Sequence, residues 1–186
     1  MVRLAQQGQG TLVPLYATAP QLSLSGGPGA AVAHVLTTAN RVSLISGRAG
    51  TGKTTLMREA IALIEQAGCP VTVVAPTAQA AREVLRAEGF ADAETVAHLL
   101  ASPTAQQRLQ HGLLWVDEAG LLGTTDMTAL LQLTSRHNAR LVLSGDTRQH
   151  TSVLRGDALR ILNTVAGVKA AEVSQIHRQK QADYRR

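Results

Sequence analysis

Apolar residues in this chain come in two rhythms that alternate from residue 30 onward. Short, predominantly apolar runs occur at 42–46, 71–75, 113–116 and 141–144, and a further short run at 171–173. Each is bounded by Gly, Pro or polar residues, which predicts buried strands. Between them lie stretches with helical spacing. Leu56, Ala60, Leu63 and Ile64 recur over 54–67, and Met127, Leu130, Leu131 and Thr134 over 126–136. Residues 30–38, 78–87 and 157–165 are also expected to be helical. Gly68 and Pro70 close the helix over 54–67, as a helix stop followed by a breaker does. Strands with no polar face, separated by helices, predict a parallel sheet covered on both sides: an α/β fold, doubly wound. Residues 1–29 carry little periodicity and end in Ser25-Gly26-Gly27-Pro28-Gly29, a run that predicts a flexible break. They are read as an N-terminal extension.

The ends of the predicted strands carry the polar chemistry, where open α/β sheets bind ligands. After the first strand, Gly47-Arg48-Ala49-Gly50-Thr51-Gly52-Lys53-Thr54 fits G-x-x-x-x-G-K-[ST], with a strand before and a helix after. Glycines let successive N–H groups converge on one anion, and the following helix adds its positive end. Gly47, Gly50, Thr51, Gly52, Lys53, Thr54 and Thr55 are therefore candidates to hold the triphosphate of ATP. Lys53 is the mobile charge for the β- and γ-phosphates, and Thr54 is a hydroxyl ligand for Mg²⁺. The third strand ends in Asp117-Glu118. Asp117 is expected to hold Mg²⁺ through water, and Glu118 to polarise the attacking water. The fourth leads to Gly145-Asp146-Thr147-Arg148-Gln149, where the Gln149 amide is a candidate reader of the γ-phosphate. Arg178 is a second candidate for that oxygen, with a solvated basic stretch as its bland alternative.

Other polar groups have ordinary explanations beside the functional one. Thr77, after Pro76, suits a nucleic-acid phosphate at a helix start, but helix capping explains it almost as well. Thr95 and His98 form a similar hydroxyl–imidazole pair, and a lone histidine is more often a packing residue. Trp115 lies inside a strand and is read as core. Cys69, the single cysteine, is read as an inert apolar residue.

Composition changes the picture modestly. The chain has 186 residues with 45% hydrophobic content, enough for one packed domain. Net charge is +5 with a pI near 10.1, which permits an anionic partner. Aromatics are 2%, so contacts to a nucleic acid are expected to go to phosphates more than to stacked bases. Mean hydropathy is +0.03, with no apolar run approaching the roughly 20 residues of a membrane span and no apolar signal core. A cytoplasmic protein is expected.

The motifs in order, GRAGTGKTT, APTAQAA, TVAHLL, WVDEAG, LSGDTRQH and QIHRQ, resemble motifs I, Ia, Ic, II, III and IV of superfamily 1 DNA helicases. The resemblance is to the RecD-like branch, and within it to the helicase region of TraI/TrwC-type conjugative relaxases. It covers about residues 24–186. It implies a P-loop NTPase of RecA-like architecture, an ATP- and Mg²⁺-dependent motor on single-stranded DNA. By resemblance, Gln149 and Arg178 sense the γ-phosphate, and Pro76, Thr77, Thr95 and His98 lie along the DNA. Residues 30–174 are then the ATP-binding lobe and 175–186 the start of a connection to a second lobe. Motifs V and VI, that lobe and a relaxase domain are expected elsewhere in a longer parent protein. The lobe alone is expected to bind nucleotide but to turn it over slowly. Where such helicases carry a glutamine that reads adenine, Pro28 stands here, which puts adenine selectivity in doubt. A P-loop switch or loader, and a non-catalytic binding module, are the alternative readings.

Overall fold

A computed structural model of the chain describes residues 1–47, 52–147 and 157–173. Six strands, β1 (Val42–Ser46), β2 (Val71–Ala75), β3 (Glu94–Thr95), β4 (Leu113–Val116), β5 (Arg140–Gly145) and β6 (Ala170–Glu172), form one sheet in the order β3-β2-β4-β5-β1-β6. Every pairing is parallel. Among the described residues seven α-helices accompany them: α1 (Val2–Gln7), α2 (Gly26–Thr37), α3 (Lys53–Gln66), α4 (Val96–Ala101), α5 (Pro103–Gln107), α6 (Thr124–Arg136) and α7 (Ala158–Thr164). The architecture is a mixed α/β fold with a central parallel sheet flanked by helices, that of a RecA-like P-loop NTPase.

Alternation along each strand sends neighbours to opposite layers. Leu114 and Val116 join a core with Leu130 and Leu131 of α6 and Leu159 of α7, while Leu113 and Trp115 join Leu36 of α2 and Leu56 and Ile64 of α3. Both faces are covered, so β4 is buried at all four positions and reads as an unbroken apolar run. Trp115 and Cys69 are both buried.

The run at 25–29 is not a flexible break. Helix α2 begins at Gly26, four residues before the expected start, and Pro28 sits in its first turn. There a missing N–H is harmless, because first-turn amides have no partner within the helix. Gly29 is required by crowding: a Cβ there would lie 2.5 Å from the Leu24 carbonyl oxygen. Gly29→Ala is therefore expected to cost roughly 1–3 kcal/mol, the range of overpacked sites. A thermal melt showing no loss would contradict that crowding.

The first 25 residues pack on both layers. Met1, Val2, Leu4 and Ala5 lie against one core cluster, and Leu15, Tyr16, Leu22 and Leu24 against the other. Tyr16 Oη donates to the Leu63 carbonyl at 2.6 Å. Among the described residues, no helix is long and apolar enough to cross a membrane.

Candidate functional site

Because all six strands run parallel, their carboxyl ends share one edge, and the polar motifs collect there. The sheet order places β5 between β1 and β4. The turn after β1 and the acids after β4 thus lie one strand apart. Gly47 N–H donates to the Gly145 carbonyl at 3.1 Å, and the Ser46 and Thr147 hydroxyls lie 2.9 Å apart, which ties the ends of β1 and β5 together. Gly145 and Gly120 answer a close approach: a Cβ on Gly145 would come within 3.1 Å of Gly120 N, and one on Gly120 within 3.0 Å of the Asp146 oxygen.

Gly52 adopts φ 74°, ψ 25°, the left-handed region that glycine enters without penalty, and caps the start of α3. Lys53 is the first residue of that helix, so its ammonium belongs where orphan N–H groups already favour an anion. Thr54 is half-buried and Thr55 exposed. Thr54 Oγ1 donates to Glu88 Oε2 at 2.8 Å. Gly50 and Thr51, with Gln149 and Arg178, lie outside the described residues.

Asp117 is held on two sides. Its N–H donates to the Val74 carbonyl at 2.9 Å, and its Oδ1 accepts the Ser144 hydroxyl at 3.0 Å. Ser144 Oγ in turn accepts Trp115 Nε1–H at 3.0 Å. This indole–hydroxyl–carboxylate chain is buried at its root, since Trp115 and Ser144 are 0% and 1% exposed. The sequence reading of Trp115 as core was thus incomplete, and Ser144 was missed. The signal for Ser144 was present: a hydroxyl that closes the apolar run Leu141-Val142-Leu143 just before Gly145.

Glu118 has φ 52°, ψ 37°, a left-handed conformation outside glycine that costs roughly 1–2 kcal/mol. Burial pushes its carboxyl above the usual range, the Asp117 charge adds to this, and the Lys53 ammonium partly offsets both. Glu118 therefore lies within the fields of both Asp117 and Lys53. A carboxyl raised in this way is a better proton acceptor than an ordinary one. Among the described residues, no three His, Cys, Asp or Glu converge as a metal cluster. An Mg²⁺ carried in on phosphates needs only one or two protein oxygens, and the donors at this edge, the Thr54 hydroxyl and the Asp117 carboxylate, fit that requirement.

Pro76, Thr77 and Thr95 lie at the same edge on the β2–β3 side, while His98, in the first turn of α4, lines a cavity that reaches Pro70 and Val71 at the start of β2. Ala75 is in register with Thr95, so Pro76-Thr77 and Thr95 leave adjacent strand ends. Thr77 Oγ1 accepts Ala80 N–H at 3.1 Å and Thr95 Oγ1 accepts His98 N–H at 3.0 Å. Both are helix caps, which uses one of each hydroxyl's two lone pairs and leaves each O–H able to donate. Thr77 and His98 are exposed. The helix after Thr77 widens to a π-helix over Gln79–Leu85. Glu94 clamps the two-residue β3 to it, reaching Arg82 at 3.1 Å and Arg86 at 2.5 Å. A cavity of about 760 Å³ opens away from Lys53 and the acids, between Ile61, the edge of β2 at Val71 and Val73, Phe90 and His98.

A family model described as an AAA domain matches residues 23–186. The chain is 31% identical over 192 residues to the multifunctional conjugation protein TraI of Escherichia coli, across 96% of this chain and 11% of that protein. It is 31% identical over 159 residues to the conjugal transfer protein TraA of Rhizobium radiobacter, across 85% and 14%. It is 33% identical over 146 residues to the ATP-dependent RecD2 DNA helicase of Deinococcus radiodurans, across 75% and 20%. The chain thus spans between 11% and 20% of the length of these relatives. Among solved structures, the UvsW helicase from bacteriophage T4 superposes with a TM-score of 0.53 at 11% identity, over 86% of this chain and 63% of that one. At that identity the likeness is one of fold.

Proposed function

This chain belongs to the AAA domain family, as a P-loop ATPase module related to helicases of the RecD and TraI/TraA kind, and from that premise we propose that it binds ATP with Mg²⁺ at the β1–α3 turn and couples hydrolysis to movement along single-stranded DNA. The observation that carries the reading is the placement of Lys53, at the start of a helix entered through left-handed Gly52, one strand away from Asp117 and Glu118.

In this reading the turn from Gly47 to Thr55 grips the triphosphate, with Gly50 and Thr51 among its main-chain donors. Lys53 neutralises the β- and γ-phosphates. Thr54 and Asp117 hold Mg²⁺, whose charge offsets that of the phosphate oxygens. Glu118 accepts a proton from the water that attacks the γ-phosphorus as ADP leaves. Gln149 and Arg178 report the γ-phosphate to the rest of the motor. Pro76, Thr77, Thr95 and His98 follow the DNA backbone, the hydroxyls donating to phosphates. The nucleotide-binding lobe extends to about residue 174 and takes in all of α2 from Gly26, and 175–186 lead towards a second motor lobe, with a relaxase domain in the parent. Pro28, where an adenine-reading amide is expected, leaves the base weakly specified, so other nucleoside triphosphates compete well.

The test is turnover in the presence of a homopolymeric single strand. The isolated chain is expected to hydrolyse ATP slowly, because an arginine supplied from another lobe is worth roughly 10³–10⁵ in rate. The single strand is expected to bind and to raise that slow rate. A chain that binds ATP yet neither binds nor responds to the single strand belongs instead to a P-loop switch or loader.

A further inference from the structure

Glu88 lies 34 residues beyond Thr54 in the chain, and no linear motif joins the two. The fold joins them. Glu88 Oε2 accepts the Thr54 hydroxyl at 2.8 Å, while the Glu88 carbonyl accepts Arg58 Nε at 3.1 Å and Arg58 Nη2 at 2.5 Å. Thr54 and Arg58 are one helical turn apart on α3. The turn at Glu88 is therefore fastened to α3 twice, once by its backbone and once by its carboxylate. Glu88 N–H and Phe90 N–H donate to Val84 and Leu85 carbonyls, which fastens the same turn to the helix before it. The backbone ties hold the turn without help from the carboxylate.

A hydroxyl has one hydrogen and two lone pairs. With its hydrogen given to Glu88, the Thr54 oxygen presents only lone pairs to any further partner, and such a partner must be a donor or a cation. Asp117 stands in a parallel situation, with Oδ1 held by the Ser144 hydroxyl. Each of the two groups assigned to Mg²⁺ is thus oriented by a fixed neighbour, as outer partners orient metal ligands generally. We infer that Glu88 is a positioning residue for the nucleotide's Mg²⁺: it sets the Thr54 hydroxyl with its oxygen available to the cation and adds a negative charge just behind it. This rests on the assignment of Thr54 to Mg²⁺ above.

The test uses the whole chain with a fluorescent ATP analogue, titrated with Mg²⁺ and, separately, in EDTA. Glu88→Ala is expected to raise the Mg²⁺ midpoint for nucleotide binding by about 10- to 100-fold. Affinity in EDTA should be equal or tighter, since a charge that repels phosphate has gone. Glu88→Gln, whose carbonyl oxygen still accepts the hydroxyl hydrogen, should fall between. An unchanged midpoint in variants that still bind nucleotide overturns the role of Glu88 alone. So does an equal loss with and without Mg²⁺, which marks a purely structural contact. Wild-type chain that binds no nucleotide at any Mg²⁺ level overturns the phosphate site and this inference together.

Discussion

Lys53→Ala is expected to weaken ATP–Mg²⁺ binding by roughly 10- to 150-fold, the ~1.5–3 kcal/mol of a charged hydrogen bond. The fold should survive. Lys53 is half-buried in the first turn of α3, where a cation opposes the positive end of the helix, and alanine is the better helix former. A melt should therefore show equal or slightly greater stability. The ammonium also lowers the Glu118 carboxyl, so its removal should raise that group further. Affinity for ATP–Mg²⁺ that is unchanged in Lys53→Ala would remove the phosphate assignment at its root.

Glu118→Gln separates chemistry from binding. Loss of a positioned proton acceptor is expected to lower turnover by about 10²–10⁴-fold, with nucleotide affinity nearly unchanged, because the amide occupies the same space. Stability should move the other way. Burial and the Asp117 charge raise the Glu118 carboxyl above its unfolded value, so ionising it costs the folded state. That cost is absent below the unfolded pKa, where both states are protonated. It grows as pH rises from the unfolded pKa through the folded pKa. Once Glu118 is ionised in the folded chain, the glutamine variant is thus expected to melt higher than the wild type, because it lacks that cost. The difference should vanish as pH falls towards the ordinary carboxylate range. A variant that hydrolyses ATP at the wild-type rate would exclude Glu118 as the base.

These two experiments probe residues visible in the linear pattern. The glycine-rich turn and the two acids each follow an apolar run, and three runs have the bounds expected of them: β1 over Val42–Ser46, β2 over Val71–Ala75 and β4 over Leu113–Val116. Strands buried on both faces announce themselves because most of their positions are apolar, with small hydroxyls such as Ser43 and Ser46 as the exceptions. The elements that escaped notice are short or depend on packing. β3 has two residues and α4 six, too few for a period to show. α1 owes its place to the core against which Val2, Leu4 and Ala5 lie. The start of α2 was obscured because Gly-Gly-Pro-Gly reads as a break wherever a first helical turn is not recognised.

Local composition determined the α/β class, the strand-end chemistry and the buried nature of Trp115 and Cys69, since each follows from which residues avoid water and which turns the backbone can make. Strand order was beyond its reach. Apolar runs such as Val71–Ala75 and Leu141–Leu143 carry no mark of which neighbour they will pair with, because hydrophobic attraction is non-directional. Only the folded sheet seats β5 between β1 and β4, and that seating puts Ser144 under Asp117. The excursion from α3 through β2 and back likewise brings Glu88 to Thr54. Contacts between polar atoms distant in the chain depend on directed geometry, and that geometry exists only once the layers have packed.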